Sequence, residues 1–343
     1  MSSDFDAQLD DPVIFLRKDA ATTLVGFFFV TVMFFLVFYV IVVWDRGTVS
    51  AYNYNAWSYD GKRGKGPNHW NRIIEEKFDP PNHCGGKNQS PIWINTTNLP
   101  ERQCPDKLRC KRPLSLRLIN YNDPVDSGII RVNHEQLIIA NMTGNRFVLD
   151  PNGIVYKLQE IYFRFGKDTM ETEHSLDNEL FALEVQFIHY RLKDPLSTTA
   201  SIVVLAAFFQ VTSQTNTKLQ NFLKMFGSYP QQFFHLRLAN ILPKKSHQVT
   251  ISNASSHDLV VKSYITYQGS LTMPPCTENV RWYIILEPVE ISLTQLRHIR
   301  LASSTNTEAG DNCRPLQPVN NRTIEIVRYN ARTSRKNTRH KLC

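Results

Sequence analysis

Short metal, redox and nucleophile motifs are missing from this 343-residue chain. Its ten histidines include no His-x-His pair and no HExxH, and its six cysteines form no CxxC. The local spacings that most often announce a zinc or thiol redox site are therefore absent. There is no GxSxG elbow and no glycine-rich phosphate loop. That removes the strained strand-to-helix turn of a serine hydrolase and the backbone cradle for nucleotide phosphates. No internal repeat or low-complexity block appears, and nothing points to nucleic acid. Helical periodicity is scarce; "TKLQNFLKMF" (217–226) and "SLTQLRHIR" (292–300) carry it.

Charge is absent where it matters most for topology. Residues 20–44, "AATTLVGFFFVTVMFFLVFYVIVVW", contain no charged side chain and are bracketed by Asp19 and Asp45. At about 1.5 Å per residue this run crosses a hydrocarbon core of about 30 Å. A cleaved signal peptide would have a shorter apolar region and small residues at its end. Here Val43 and Trp44 run straight into Asp45. The expectation is an uncleaved transmembrane signal anchor over 20–44, a cytoplasmic tail over 1–19 and a stalk over 45–56. A large domain over 57–327 and a basic tail over 328–343 follow. Flanking charges orient the anchor weakly, with Arg17 and Lys18 before it and Arg46 after it. Glycosylation sequons at Asn95, Asn141, Asn253 and Asn321, and six cysteines all beyond the apolar run, favour an extracellular C-terminal part. (Asn88 also heads a sequon, closely followed by Pro91.) The predicted protein is single-pass, type II, at the plasma membrane.

Net charge is 39 − 31 = +8, but residues 1–44 hold two basic and five acidic side chains, so residues 45–343 carry 37 − 26 = +11. Such a surface favours anionic partners, sulfated glycans among them. Much of the excess lies in "RYNARTSRKNTRHKLC" (328–343), whose low apolar content reads as a solvated tail.

What is present is a series of short alternating runs punctuated by Pro, Gly, Asn and Asp, the pattern of a large β-rich domain. In "YKLQEIYFRFG" (156–166), Ile161, Phe163 and Phe165 fall on one face, with Glu160, Tyr162 and Arg164 on the other. In "FALEVQFIHY" (181–190), Leu183, Val185 and Phe187 oppose Glu184 and Gln186. Taken alone, those polar faces read as solvent-facing. "TEHSLD" (172–177) sets Glu173 beside His174, a pair able to do acid–base work but more commonly a structural hydrogen bond.

Together these motifs resemble the α-carbonic anhydrases. The likeness starts at Trp57 and Tyr59 in "WSYDG" and continues through "GPNHW" (66–70), "CGGKNQSPIWI" (84–94), the two strands and "TEHSLD". It then takes in "YQGSLTMPPCTENVRWYII" (267–285) and "DNCRPLQPVNNR" (311–322). The resemblance implies a mainly β fold: a large, twisted, mostly antiparallel central sheet with peripheral helices, beside the N-terminal transmembrane helix. It also implies a Cys84–Cys276 disulfide. In this family three histidines hold a zinc ion that activates water. The matching positions here are Tyr162, Arg164 and Gln186, and the looser match for the proton-shuttle histidine is Ile129. On this resemblance the chain is expected to be no enzyme and to bind no cofactor. Glu173 and Thr272 match the pair that orients the zinc-bound hydroxide, Glu184 a carboxylate behind the ligands, and Leu271 the pocket wall; Glu160 replaces a common Gln.

Arg164 is expected to pair with Glu160 or Glu184 and fill the metal's place, or else to line an anion or small-molecule pocket. Finer likeness, in "EVQFIHY", "SYITYQGSLTMPPC" and "RPLQPVNNR", is to the catalytically silent related proteins of the type ten and eleven branch. That implies a cell-surface binding or adhesion role, with neurexin-like receptors as partners. Cys104 and Cys110 enclose "PDKLR" and are expected to form a local disulfide. Cys313 and Cys343 could pair, stay free or join two chains.

Overall fold

The computed structural model describes residues 57–59, 64–73, 82–102, 114–133, 136–166, 171–179, 181–192, 200–227, 236–243, 258–303 and 311–328. All lie in one compact unit, Ala56–Cys343. The hydrophobic run 20–44, Cys104, Cys110, Asn253, Cys343 and residues 329–343 lie outside the described residues. Among the described residues, no helix is long and apolar enough to cross a membrane.

One sheet organises the unit. Its strands run in the order Leu259–Val261, Leu116–Ile119, Phe147–Leu149, Val155–Arg164, Leu183–Arg191, Ile202–Thr212, Glu278–Ile285, Tyr264–Ser270 and Ile324–Val327. Neighbours on this path are antiparallel except Ile202–Thr212 with Glu278–Ile285, which run parallel. Val289–Ser292 extends the parallel pairing, and Gln136–Ala140 lies antiparallel beside the second half of Val155–Arg164. The central strands are the β-branched and aromatic runs seen in the sequence, long enough to span the sheet and apolar on at least one face.

Alternation distributes these strands between two cores. Ile161, Phe163, Val185, Phe187, Val203 and Leu205 join one, together with Leu296 and Ile299 of the helix Leu293–Ser303. Tyr162, Ile188, Val204, Ala206 and Trp282 join the other, under Ile92 and Ile94. The sheet is therefore covered on both faces. Both predicted helical stretches form. At the second, Ser292 and Gln295 make reciprocal hydrogen bonds: Gln295 N donates to Ser292 Oγ (3.3 Å) and Ser292 N to Gln295 Oε1 (3.2 Å). This satisfies two amides that a helix start leaves unpaired. The first is a broken helix, with Asn216 capping Thr217–Leu219 ahead of Gln220–Lys224.

His189 sits inside the first core, fully buried, opposite Leu158 and Val203 in the strand register. Its Nε2 meets the Tyr121 hydroxyl and its Nδ1 lies 3.3 Å from Val203 O. Burial pushes the imidazole down to about 4, whereas an unfolded histidine titrates near 6.5. The folded state thus binds fewer protons between those values. The contribution of this histidine is fully present above about pH 6.5 and is lost, by up to about 3 kcal/mol, as pH drops towards 4. Glu173, raised by burial, works in the opposite sense. Urea melts of wild type and His189→Gln across pH 4–7 should therefore differ by a slope that only wild type shows; parallel curves would refute the assignment.

Candidate functional site

Strand register brings the three positions singled out from sequence to one place. Tyr162 pairs with Gln186 and Arg164 with Glu184 across neighbouring strands. Pleating puts all four on the same face. Contrary to the solvent-facing reading, that face is interior: Arg164, Glu184 and Gln186 are each at most 1% exposed, and Tyr162 is 4%. Glu160 is half-buried and accepts the Tyr162 hydroxyl at 2.7 Å.

Arg164 is the hub. Its nearest carboxylate is Glu173, with Nε 3.6 Å from Oε2, rather than the expected Glu160 or Glu184. The same Nε donates to Gln186 Oε1 (3.4 Å) and Nη1 to the Tyr59 hydroxyl (2.5 Å). With its amide oxygen turned to the guanidinium, the orientation the network requires, Gln136 accepts from Nη1 (2.6 Å) and Nη2 (3.2 Å). The guanidinium also lies over the Tyr162 ring, 5.0 Å from its centroid. All three guanidinium nitrogens are engaged. Asn312, fully buried, holds the strand on both sides of Arg164: its Nδ2 donates to Phe163 O and its Oδ1 accepts from Phe165 N, each at 2.9 Å.

The carboxylates are committed as well. Glu173 accepts from Gln186 Nε2 (2.7 Å) and from the Arg314 amide (3.1 Å). Burial raises its pKa, with Arg164 opposing and Glu184 adding to the rise. Glu184 accepts from the His174 amide and Nδ1 and from Gln186 Nε2, all at 2.9 Å. Burial alone would raise Glu184, but His174 outweighs it and holds this carboxyl below its usual range. The His174 partner is therefore Glu184, not its sequence neighbour Glu173. From His174 Nε2 the network continues to Tyr267 Oη (2.7 Å) and Ser90 Oγ (2.8 Å). Leu271 is buried in the wall. Thr272 Oγ1 is buried near Glu173, close enough to lower that carboxyl, yet has no partner in full hydrogen-bond geometry.

Disulfide Cys84–Cys276 forms as the resemblance implied, with Cα atoms 4.8 Å apart. Cys313 makes no disulfide with a described residue. Asn95, Asn141 and Asn321 are exposed, as is Ile129. Tyr59, Gln136, Asn312 and Arg314 belong to the network although sequence reasoning gave them no role there. Tyr59, Asn312 and Arg314 lie in the motifs "WSYDG" and "DNCRPLQPVNNR"; Gln136 opens a strand and gives no signal.

Comparison with known proteins places this geometry. Residues 65–328 match the model of the eukaryotic-type carbonic anhydrases. The chain belongs to this family. Human carbonic anhydrase 6 is 28% identical over 257 residues, 71% of this chain and 76% of that protein. A putative carbonic anhydrase 3 of Caenorhabditis elegans is 25% identical over 260 residues, 75% and 96% of the two chains. Among solved structures, the α-carbonic anhydrase of Thermovibrio ammonificans, in complex with the inhibitor sulfanilamide, superimposes with a TM-score of 0.56 at 27% identity. It covers 78% of this chain and 98% of that one.

These matches correct one expectation. The chain was expected from its sequence to be no enzyme; the family it belongs to is enzymatic, and the relatives and solved neighbours are carbonic anhydrases. A separate matter is whether the residues gathered here fit the family's zinc ion, and they do not. The Tyr162 hydroxyl is given to Glu160, the Gln186 oxygen to Arg164 and the Gln186 nitrogen to two carboxylates. A guanidinium about 4 Å from a dication would repel it by roughly 8 kcal/mol at an effective dielectric near 20. Among the described residues, no group of three or more His, Cys, Asp or Glu side chains could hold a metal ion.

Proposed function

We propose that this carbonic anhydrase-like domain is displayed at the cell surface as a binding module, with Tyr162, Arg164 and Gln186 standing at former zinc-ligand positions. The observation that carries this reading is the saturated Arg164 centre: each guanidinium nitrogen has a protein partner, so the floor presents no open donor set. The same saturation counts against an anion pocket at Arg164. The proposed setting is the type II anchor over 20–44, with an N-glycosylated ectodomain of the type ten and eleven kind and a neurexin-like receptor as partner. The exposed acceptors Asn95, Asn141 and Asn321 support that placement.

Metal analysis on the purified full chain tests the site. The expected result is zinc well below one ion per chain; stoichiometric zinc lost on substitution of Tyr162 and Gln186 would overturn the proposal. Proximity labelling on the cell surface then identifies the partner. Residues 45–343, at 37 − 26 = +11, favour a second reading as a receptor for sulfated glycans. Heparin binding that weakens steeply with salt and survives deletion of 328–343 is its expected signature.

A further inference from the structure

Beside the sequon Asn141–Met142–Thr143 lies a groove of about 330 Å³ that the Arg164 network does not use. Asn141 follows the strand Gln136–Ala140, is exposed and has φ of 50°. The loop after it is fixed: Thr143 Oγ1 accepts from the Asp126 and Ser127 amides at 3.1 Å, and Arg146 Nη1 donates to Thr143 O at 2.5 Å. Arg146 is 3% exposed and its Nη2 donates to Asp123 O and Pro124 O, but its buried Nε has no partner.

Asn145, Lys157 and Gln159 line the same groove with Met142. Those three polar side chains make no hydrogen bond or ion pair with another described side chain. Gln159 is there because the strand bulges: the register steps from Leu158 to Glu160, leaving Gln159 unpaired and exposed, while Leu158 N donates to Arg146 O at 2.9 Å. Bulges re-aim side chains in this way. The result is a cluster of side-chain donors, unpaired among the described residues, around a space that opens at the Asn141 sequon.

We propose that the first N-acetylglucosamine of a glycan on Asn141 folds back into this groove. Its hydroxyl and acetamide oxygens take hydrogen bonds from Asn145, Lys157 and Gln159, and its ring lies against Met142. The inference rests on the extracellular placement of the domain proposed above.

The test uses the full chain made in eukaryotic cells that add high-mannose glycans. Glycopeptide mass spectrometry reads occupancy, and hydrogen exchange reads residues 141–146 and 157–159. Occupancy is expected at Asn141. Trimming every glycan to a single N-acetylglucosamine should leave exchange unchanged. Complete enzymatic removal should accelerate it roughly fivefold or more, the size of about one lost hydrogen bond. Asn141→Gln, which removes the sugar without adding a charge, should match complete removal. In Lys157→Ala/Gln159→Ala the glycan should remain but its effect on exchange should vanish. Occupied Asn95 or Asn321 with an empty Asn141 would overturn the groove and leave the extracellular reading standing. No occupied sequon would overturn both. Exchange indifferent to complete removal, or equally sensitive in the double variant, would overturn the groove.

Discussion

Arg164→Ala should destabilise the domain by about 3–5 kcal/mol, the cost of breaking a buried ion pair from one side. The substitution leaves Glu173 almost wholly buried with no cation, and it strips donors from Gln136, Gln186 and the Tyr59 hydroxyl. Glu173 is already raised by burial and lowered by Arg164; without Arg164 it rises further and takes up a proton more readily. The loss should therefore be larger at pH 8 than at pH 5. Arg164→Met/Glu173→Gln removes both charges and roughly keeps volume, so it should cost less than the sum of its single variants. Urea midpoints for the four proteins give the coupling directly. An unchanged midpoint for Arg164→Ala would mean that the guanidinium does not hold this interior together.

Removing the Cys84–Cys276 bond is the other large effect. The cysteines are 192 positions apart, and loop entropy for that length amounts to about 5 kcal/mol, near the top of what native disulfides contribute. Local contacts add to the expected loss. Both cysteines pack with Trp57, Tyr59 and Trp70, Arg314 Nη2 donates to Cys84 O (3.1 Å), and Arg314 lies over Trp70. The bond thus ties the segment bearing Leu271, Thr272 and Met273 to the aromatic cluster that delivers Tyr59 to Arg164. Cys84→Ala/Cys276→Ala should lower the urea midpoint strongly and speed exchange around 271–273. A loss below about 1 kcal/mol would show that the rest of the fold already fixes the two segments.

Several features are legible in the amino-acid sequence alone. Period-two alternation in 156–166 and 181–190 assigns Ile161, Phe163, Val185 and Phe187 to one core face, where they are found. Helical periodicity in 292–300 marks the helix that forms at Leu293–Ser303. The family motifs locate the disulfide and the meeting of Tyr162, Arg164 and Gln186. Alternation fails at the polar face because it records which side chains share a face, and not what covers that face. Here the cover comes from Tyr59, 105 positions from Arg164, and from Asn312, 148 positions away.

By itself, then, the sequence determined the family, the sheet and the residues at the centre of the site. Only tertiary structure decided that Glu173 pairs with Arg164 while Glu184 holds His174, and that Gln159 leaves its register beside Asn141. The reason is physical. Local pattern fixes strand, face and spacing, whereas the choice among three nearby carboxylates depends on atomic distances that distant segments set when they pack.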